Sequence, residues 1–191
     1  MSTAIDWQAE IDRHYGDGSH GDPRSPLRAL LLRHSRSVAD LALELAHRNR
    51  LHLDDGDIEA AAMLHDIGIC RCNAPGIKCY GTEPYICHGF IGGQMMRAEG
   101  FPRHARVCER HTGAGLTKDE IIKQQLPLPH QDFLPETLEE QVICYADKFY
   151  SKTHPEREKS YEKACKSLAK FGEEGLQRFK AWHDRFEPDE A

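Results

Sequence analysis

Apolar residues in this chain recur every three or four positions, the period of helices with one buried face, and no alternating run exceeds a few residues. Residues 4–15 place Trp7, Ile11 and Tyr15 on one side of a short helix, and 17–23 read as a loop. Ser25-Pro26 starts the next helix, Ser as N-cap and Pro at the first position. Its stripe Leu27, Leu31, Val38, Leu41, Leu45 runs to about residue 50, and His34 falls within it. Asp54-Asp55-Gly56-Asp57 breaks that helix and caps a third, on which Ile58, Ala61 and His65 share a face. Asp66 follows about 100° round the same turn, and Gly68 stops the segment.

Residues 68–84 show no period and are rich in Gly, Pro and Cys, which predicts an irregular functional loop. Pro84 then opens a helix aligning Tyr85, His88, Gly92 and Met95. Gly92-Gly93 would weaken a free helix by about 1 kcal/mol each, so they mark close approach of another helix. Gly100 ends it, and Pro102 opens a short helix with His104, Cys108 and His111 on one side, stopped by 112–115. Residues 126–129 alternate Leu and Pro as an extended linker. Residues 135 to about 152 are helical again, with Leu138, Val142, Ala146 and Phe149 as one seam and Ile143, Asp147 and Tyr150 beside it. The tail, 155–186, carries Tyr161, Cys165, Leu168, then Leu176, Phe179, Trp182, Phe186, divided near Gly172 to Gly175. The predicted fold class is all-α, one domain over 1–191 with its core at about 27–152 and a C-terminal helical extension over 153–191.

Composition narrows the partners. A chain of 191 residues fills one core. Its net charge of −6, with both signs mixed throughout, gives no support to a nucleic-acid surface, so no nucleic-acid polymer is expected as partner. No run approaches the eighteen or so apolar residues of a membrane span, and the first twenty residues lack a secretory pattern. Seven cysteines, an odd number, then point to reduced thiols in the cytoplasm. Cys70, Cys72, Cys79 and Cys87 lie close together, but their spacing is not the usual C-x-x-C pairing of a zinc site, so they read as small apolar groups. Twelve histidines are the one compositional hint of metal.

Polar residues that the periodicity turns inward are His34, His65, Asp66, His88, His111 and Asp147. A single inward histidine is more often hydrogen-bonded in a core, and a single Asp near a helix end is more often a cap. As a set, one histidine on each of four helices with two carboxylates, they can converge in a bundle as di-metal proteins do. Imidazole and carboxylate suit Fe, Mn or Zn. Six ligands exceed the need of one catalytic ion, which predicts two ions, iron foremost. His34, His65 and Asp147 go to one, His88 and His111 to the other, and Asp66 bridges.

His34, then His65-Asp66-Ile67-Gly68, then Asp147 within Tyr145-Ala146-Asp147-Lys148, resembles the HD superfamily of metal-dependent phosphohydrolases. His88 and His111 resemble its two-metal branch. The resemblance runs from about 27 to 152 and implies an all-α bundle of five or more helices, a single HD domain. His111-Thr112-Gly113 is similar to members that cleave diadenosine tetraphosphate. Ile69 stands where the cyclic-dinucleotide branch has Lys, and that branch's Gly-Tyr-Pro signature is missing.

The resemblance implies an enzyme that hydrolyses a phosphate ester or anhydride of a small metabolite, a nucleotide foremost, through water activated between two ions. Asp66 and Lys148 are the expected catalytic residues. Arg71, Lys78, Arg110 and Lys152 are candidates for holding the substrate phosphate. A di-iron oxygenase shares the ligand pattern, and a metal-stapled nucleotide sensor is a third reading.

Overall fold

The computed structural model describes residues 5–19, 21–154 and 157–187. Residue 4 of the first expected helix, His20 of the following loop, Pro155 at the start of the tail and residues 188–191 lie outside these. Among the described residues nine α-helices carry the fold: α1 (Trp7–Tyr15), α2 (Ser25–Arg48), α3 (Asp55–Leu64), α4 (His88–Ala98), α5 (Pro102–Arg110), α6 (Lys118–Lys123), α7 (Leu138–Asp147), α8 (Tyr161–Ala169) and α9 (Glu173–Phe186). The only strands among the described residues are the two-residue β1 (Asn73–Ala74) and β2 (Cys79–Tyr80), paired antiparallel. The class is all-α, as the apolar period predicts. No helix among the described residues is long and apolar enough to cross a membrane.

The long α2 lies at the centre. Leu31, Val38, Ala42 and Leu45 are fully buried along it, facing α3 and α7. Its start differs from expectation. Arg24 occupies the cap position, Ser25 and Pro26 are the first helical residues, and the Ser25 hydroxyl donates to the Ser19 carbonyl. Asp6 and Asp54 cap α1 and α3 through their carboxylates.

Two helices depart from the sequence pattern. The short α6 carries a capping box between Thr117 and Glu120, a signal the apolar period alone does not register. Helix α7 is shorter than 135–152. Its own capping box, Thr137 with Glu140, sets the start, and the chain tightens after Asp147, where Phe149 N donates to Ala146 O and Tyr150 N to Asp147 O. Lys152 therefore leaves the helix axis and turns back toward the interior.

The stretch predicted as irregular is ordered by short pieces. A 3-10 turn (Ile67–Arg71) follows α3, then the small hairpin, then another 3-10 turn (Tyr85–Cys87) that runs into α4. Cys72 and Cys79 are buried inside it, and the Cys79 thiol is held by the Ile69 and Cys72 carbonyls. All seven cysteines are unpaired, and none joins a metal-binding group among the described residues.

Glycines let α4 approach. A Cβ on Gly68 would overlap the His88 carbonyl oxygen and the Gly92 nitrogen, and one on Gly89 the Cys108 carbonyl. The Gly92-Gly93 pair lies against the turn after α3 and against Glu109 of α5. The backbone of α4 thus passes closely by both the His65-Asp66 turn and α5. An Arg97–Glu109 ion pair spans the α4–α5 contact.

Candidate metal centre

Helix ends build the centre. His34 sits mid-way along α2, while His65 and His111 cap the C-termini of α3 and α5 with helical backbone. His88 is the first residue of α4 and Asp147 the last of α7. Asp66 stands where the chain leaves α3 for the 3-10 turn. All six are buried.

The position at helix ends has a chemical consequence, because the last carbonyls of a helical turn lack intrahelical partners. The Nδ1–H groups of His65, His88 and His111 each donate to the carbonyl three residues back: Ala62 at 2.6 Å, Tyr85 at 2.7 Å and Cys108 at 2.7 Å. That bond sets the tautomer, so that each ring, when neutral, presents its Nε2 lone pair to the centre.

Those lone pairs converge on Asp66. Its Oδ2 lies 3.2 Å from the Nε2 atoms of His34 and His65, and its Oδ1 lies 3.3 Å from His88 and 3.2 Å from His111. Asp147 Oδ1 lies 3.0 Å from His34 and 3.5 Å from His65. Two sets of three ligand atoms fall within 4.8 Å of one another: His34, His65, Asp147 and His65, Asp66, His111. His65 thus belongs to both sets, where the sequence reading gave it to one.

These residues fit a metal. The Nε2 atoms of His88 and His111 stand 3.0 Å apart with both Nδ1 protons engaged elsewhere, so two lone pairs oppose each other. The Nε2 atoms of His34 and His65 and Oδ1 of Asp66 are buried without a hydrogen bond, and Oδ2 faces the Lys152 ammonium. Such burial costs several kcal/mol unless a cation or proton compensates. In the protein alone, cationic groups balance the carboxylates. Burial opposes the charge on Asp66, but Lys152, at 2.7 Å, and His65 hold its pKa well below the usual range. Burial likewise opposes the charge on His65, and Asp66 overcomes it, raising the pKa to about 9. Burial lowers His111 to about 3, so it is neutral and able to ligate.

The other expected site residues divide. Lys148 Nζ donates to Asp147 Oδ2 at 2.6 Å and to the His111 carbonyl at 2.8 Å. Lys148 and Lys152 both line a cavity of about 380 Å³ that opens beside His88, His111 and Asp147. Three cations lie elsewhere. Arg71 lines a separate groove with Thr82 and Gln94, and Lys78 is exposed on the hairpin with a left-handed backbone. Arg110 turns to the Leu134 carbonyl and Glu136. Adjacency in sequence to a motif does not determine direction, and none of these three side chains lines the cavity beside the centre.

One supporting residue has no signal in the apolar pattern beyond its place on a stripe. The Tyr15 hydroxyl, from α1, donates to the Ile67 carbonyl at 2.7 Å and accepts from Cys70 N at 3.1 Å. It anchors the turn that carries Asp66.

Comparison with known proteins adds the following. The chain is 34% identical over 123 residues to a tRNA (cytidine(56)-2'-O)-methyltransferase of Picrophilus torridus, and 34% identical over 122 residues to the protein of the same name from Thermoplasma volcanium. These matches cover 64% and 63% of this chain but 32% of each relative. An uncharacterized protein of Methanocaldococcus jannaschii is 37% identical over 121 residues, 61% of this chain and 64% of that one. The chain thus spans about a third of the length of the two methyltransferases. No solved structure matches it.

Two expectations are corrected by these relatives. A hydrolase of a small phosphorylated metabolite or nucleotide, with its oxygenase and sensor alternatives, is overturned by relatives named for modifying tRNA. The expected absence of a nucleic-acid partner falls with it. Net charge averages over a whole surface, so a value of −6 does not exclude a local nucleic-acid contact. Residues 31–151 match the HD domain family, and together with the arrangement of His34, His65-Asp66 and Asp147 this establishes that the chain belongs to the HD superfamily.

Proposed function

We propose that this chain is a metal-dependent RNA-modifying enzyme whose buried centre hydrolyses a phosphoester of an RNA, tRNA foremost. The observation that carries the chemistry is the pair of opposed Nε2 lone pairs of His88 and His111 beside Asp66 Oδ1, an arrangement that calls for a cation. The names of the two methyltransferases support the choice of RNA.

In this reading His34, His65, Asp66 and Asp147 would hold one ion, and Asp66, His88 and His111 would hold a second. Iron suits the mixed imidazole and carboxylate donors, with manganese or zinc as substitutes. Such ions supply Lewis acidity toward a phosphoryl oxygen and make hydroxide accessible at neutral pH.

The chain's own residues do the rest. The Nδ1–carbonyl bonds hold three imidazoles in the ligating tautomer. Lys148 fixes Asp147 against the end of α5, a positioning role. Lys152, its ammonium at the cavity edge, is the better placed of the two to offset charge growing on the phosphoryl group. The seven unpaired cysteines support work in a reducing compartment such as the cytoplasm.

The test is anaerobic incubation of full-length protein, loaded with Fe(II) or Mn(II), with tRNA transcripts bearing terminal or cyclic phosphates. Release of phosphate or opening of the ester is expected, and Asp66→Ala and His65→Ala should abolish it. A parallel arm supplies a methyl donor. Methylation of the RNA without any phosphoester cleavage would overturn the reading.

A further inference from the structure

The cavity beside the centre has two unlike ends. At one end stand His88, His111, Lys148 and Lys152. Toward the other, Leu168 of α8, Phe171 of the α8–α9 turn and Gly175 of α9 line it with Leu116 and Leu126, and Glu120 and Gln124 add polar groups to the same lining. The α8–α9 wall, Leu168, Phe171 and Gly175, lies beyond residue 151, where the family match stops. Phe171 is 59% exposed, one of three large hydrophobic residues exposed among the described residues. An apolar aromatic edge in the same cavity as two ammonium groups suits a ligand that is planar and apolar at one end and anionic at the other.

We propose that this cavity receives one unstacked nucleotide of the RNA, its base against the α8–α9 wall and its phosphate toward Lys152 and the histidines. The inference rests on the proposed action on RNA and goes beyond it by assigning the C-terminal helices as the element that selects an unpaired nucleotide. A volume of about 380 Å³ accommodates a single nucleotide. It also reconciles an RNA partner with a net charge of −6. A protein that grips one nucleotide needs few phosphate contacts, whereas one that tracks the backbone needs a basic stripe.

Two variants probe the wall without touching the centre. Phe171→Ala removes the aromatic edge at an exposed turn. Gly175→Leu fills the cavity from a helical position with ordinary backbone, where a Cβ meets nothing closer than 3.8 Å.

The experiment measures binding of a fluorescent RNA hairpin with an unpaired 3' overhang, against the blunt hairpin, from 50 to 200 mM salt. The overhang should bind at least roughly tenfold tighter than the blunt form, the worth of one base stacked on an aromatic side chain. The log–log salt slope should stay between about −0.7 and −1.4, one or two phosphates. Both variants should lose that preference, and in turnover they should raise KM with kcat little changed. Equal binding of both hairpins, a slope steeper than about −4, or variants that keep the preference would each overturn the proposal. Failure of the cavity reading alone leaves wild-type cleavage intact with no effect of Phe171→Ala. Failure of the underlying function appears as no cleavage by any form, whatever the binding.

Discussion

Asp66 is a carboxylate with no exposure to water and four imidazole nitrogens within 3.3 Å. Its position is determined by atoms that never touch the centre. Tyr15 is the clearest case, since its hydroxyl bonds to both ends of the turn through Ile67 O and Cys70 N. Tyr15→Phe keeps the ring in the core but removes the hydroxyl's bonds to Ile67 O and Cys70 N. The expected loss is about 1–3 kcal/mol in urea denaturation, with weaker metal retention under dialysis against a mild chelator. Unchanged stability and retention would show that α1 does not hold the turn.

At the scale of elements, the centre depends on how closely α4 passes the turn after α3. Gly68 allows that approach, because any Cβ there would overlap the backbone of His88 and Gly92. Backbone cannot step aside as a flexible side chain can. Gly68→Ala should therefore cost about 3 kcal/mol and pull His88 away from Asp66, measured as a lower Tm together with reduced metal content. A fully stable, fully loaded variant would contradict this packing.

Much of this was legible in the sequence. The apolar period placed α2, α3, α4, α5, α8 and α9 and turned six polar residues inward, and the structure brings those six together. What stayed illegible depends on tertiary contact. The end of α7 at Asp147 is set by a tightened turn that lets Lys152 reach Asp66, while the apolar seam runs on through Phe149. The short α6 is announced by Thr117 and Glu120 and not by periodicity. Arg71 and Arg110 follow motif residues in sequence, yet other carbonyls and carboxylates capture Arg110 and a separate groove takes Arg71.

At the scale of the molecule, the HD-type bundle supplies a buried polar centre, and helices beyond it wall the adjoining cavity. An acidic chain with relatives named for tRNA modification makes sense if recognition is confined to that cavity. All of this presumes cations between His34, His65, Asp66, His88, His111 and Asp147. The direct measurement is the metal content of full-length protein purified without chelators, for the wild type and for Asp66→Ala, with circular dichroism to verify folding. Two transition-metal ions per wild-type chain and none in a folded Asp66→Ala variant are predicted. A wild type without metal that takes up none on exposure to Fe(II), Mn(II) or Zn(II), or an Asp66→Ala variant that retains its full complement, would contradict the account.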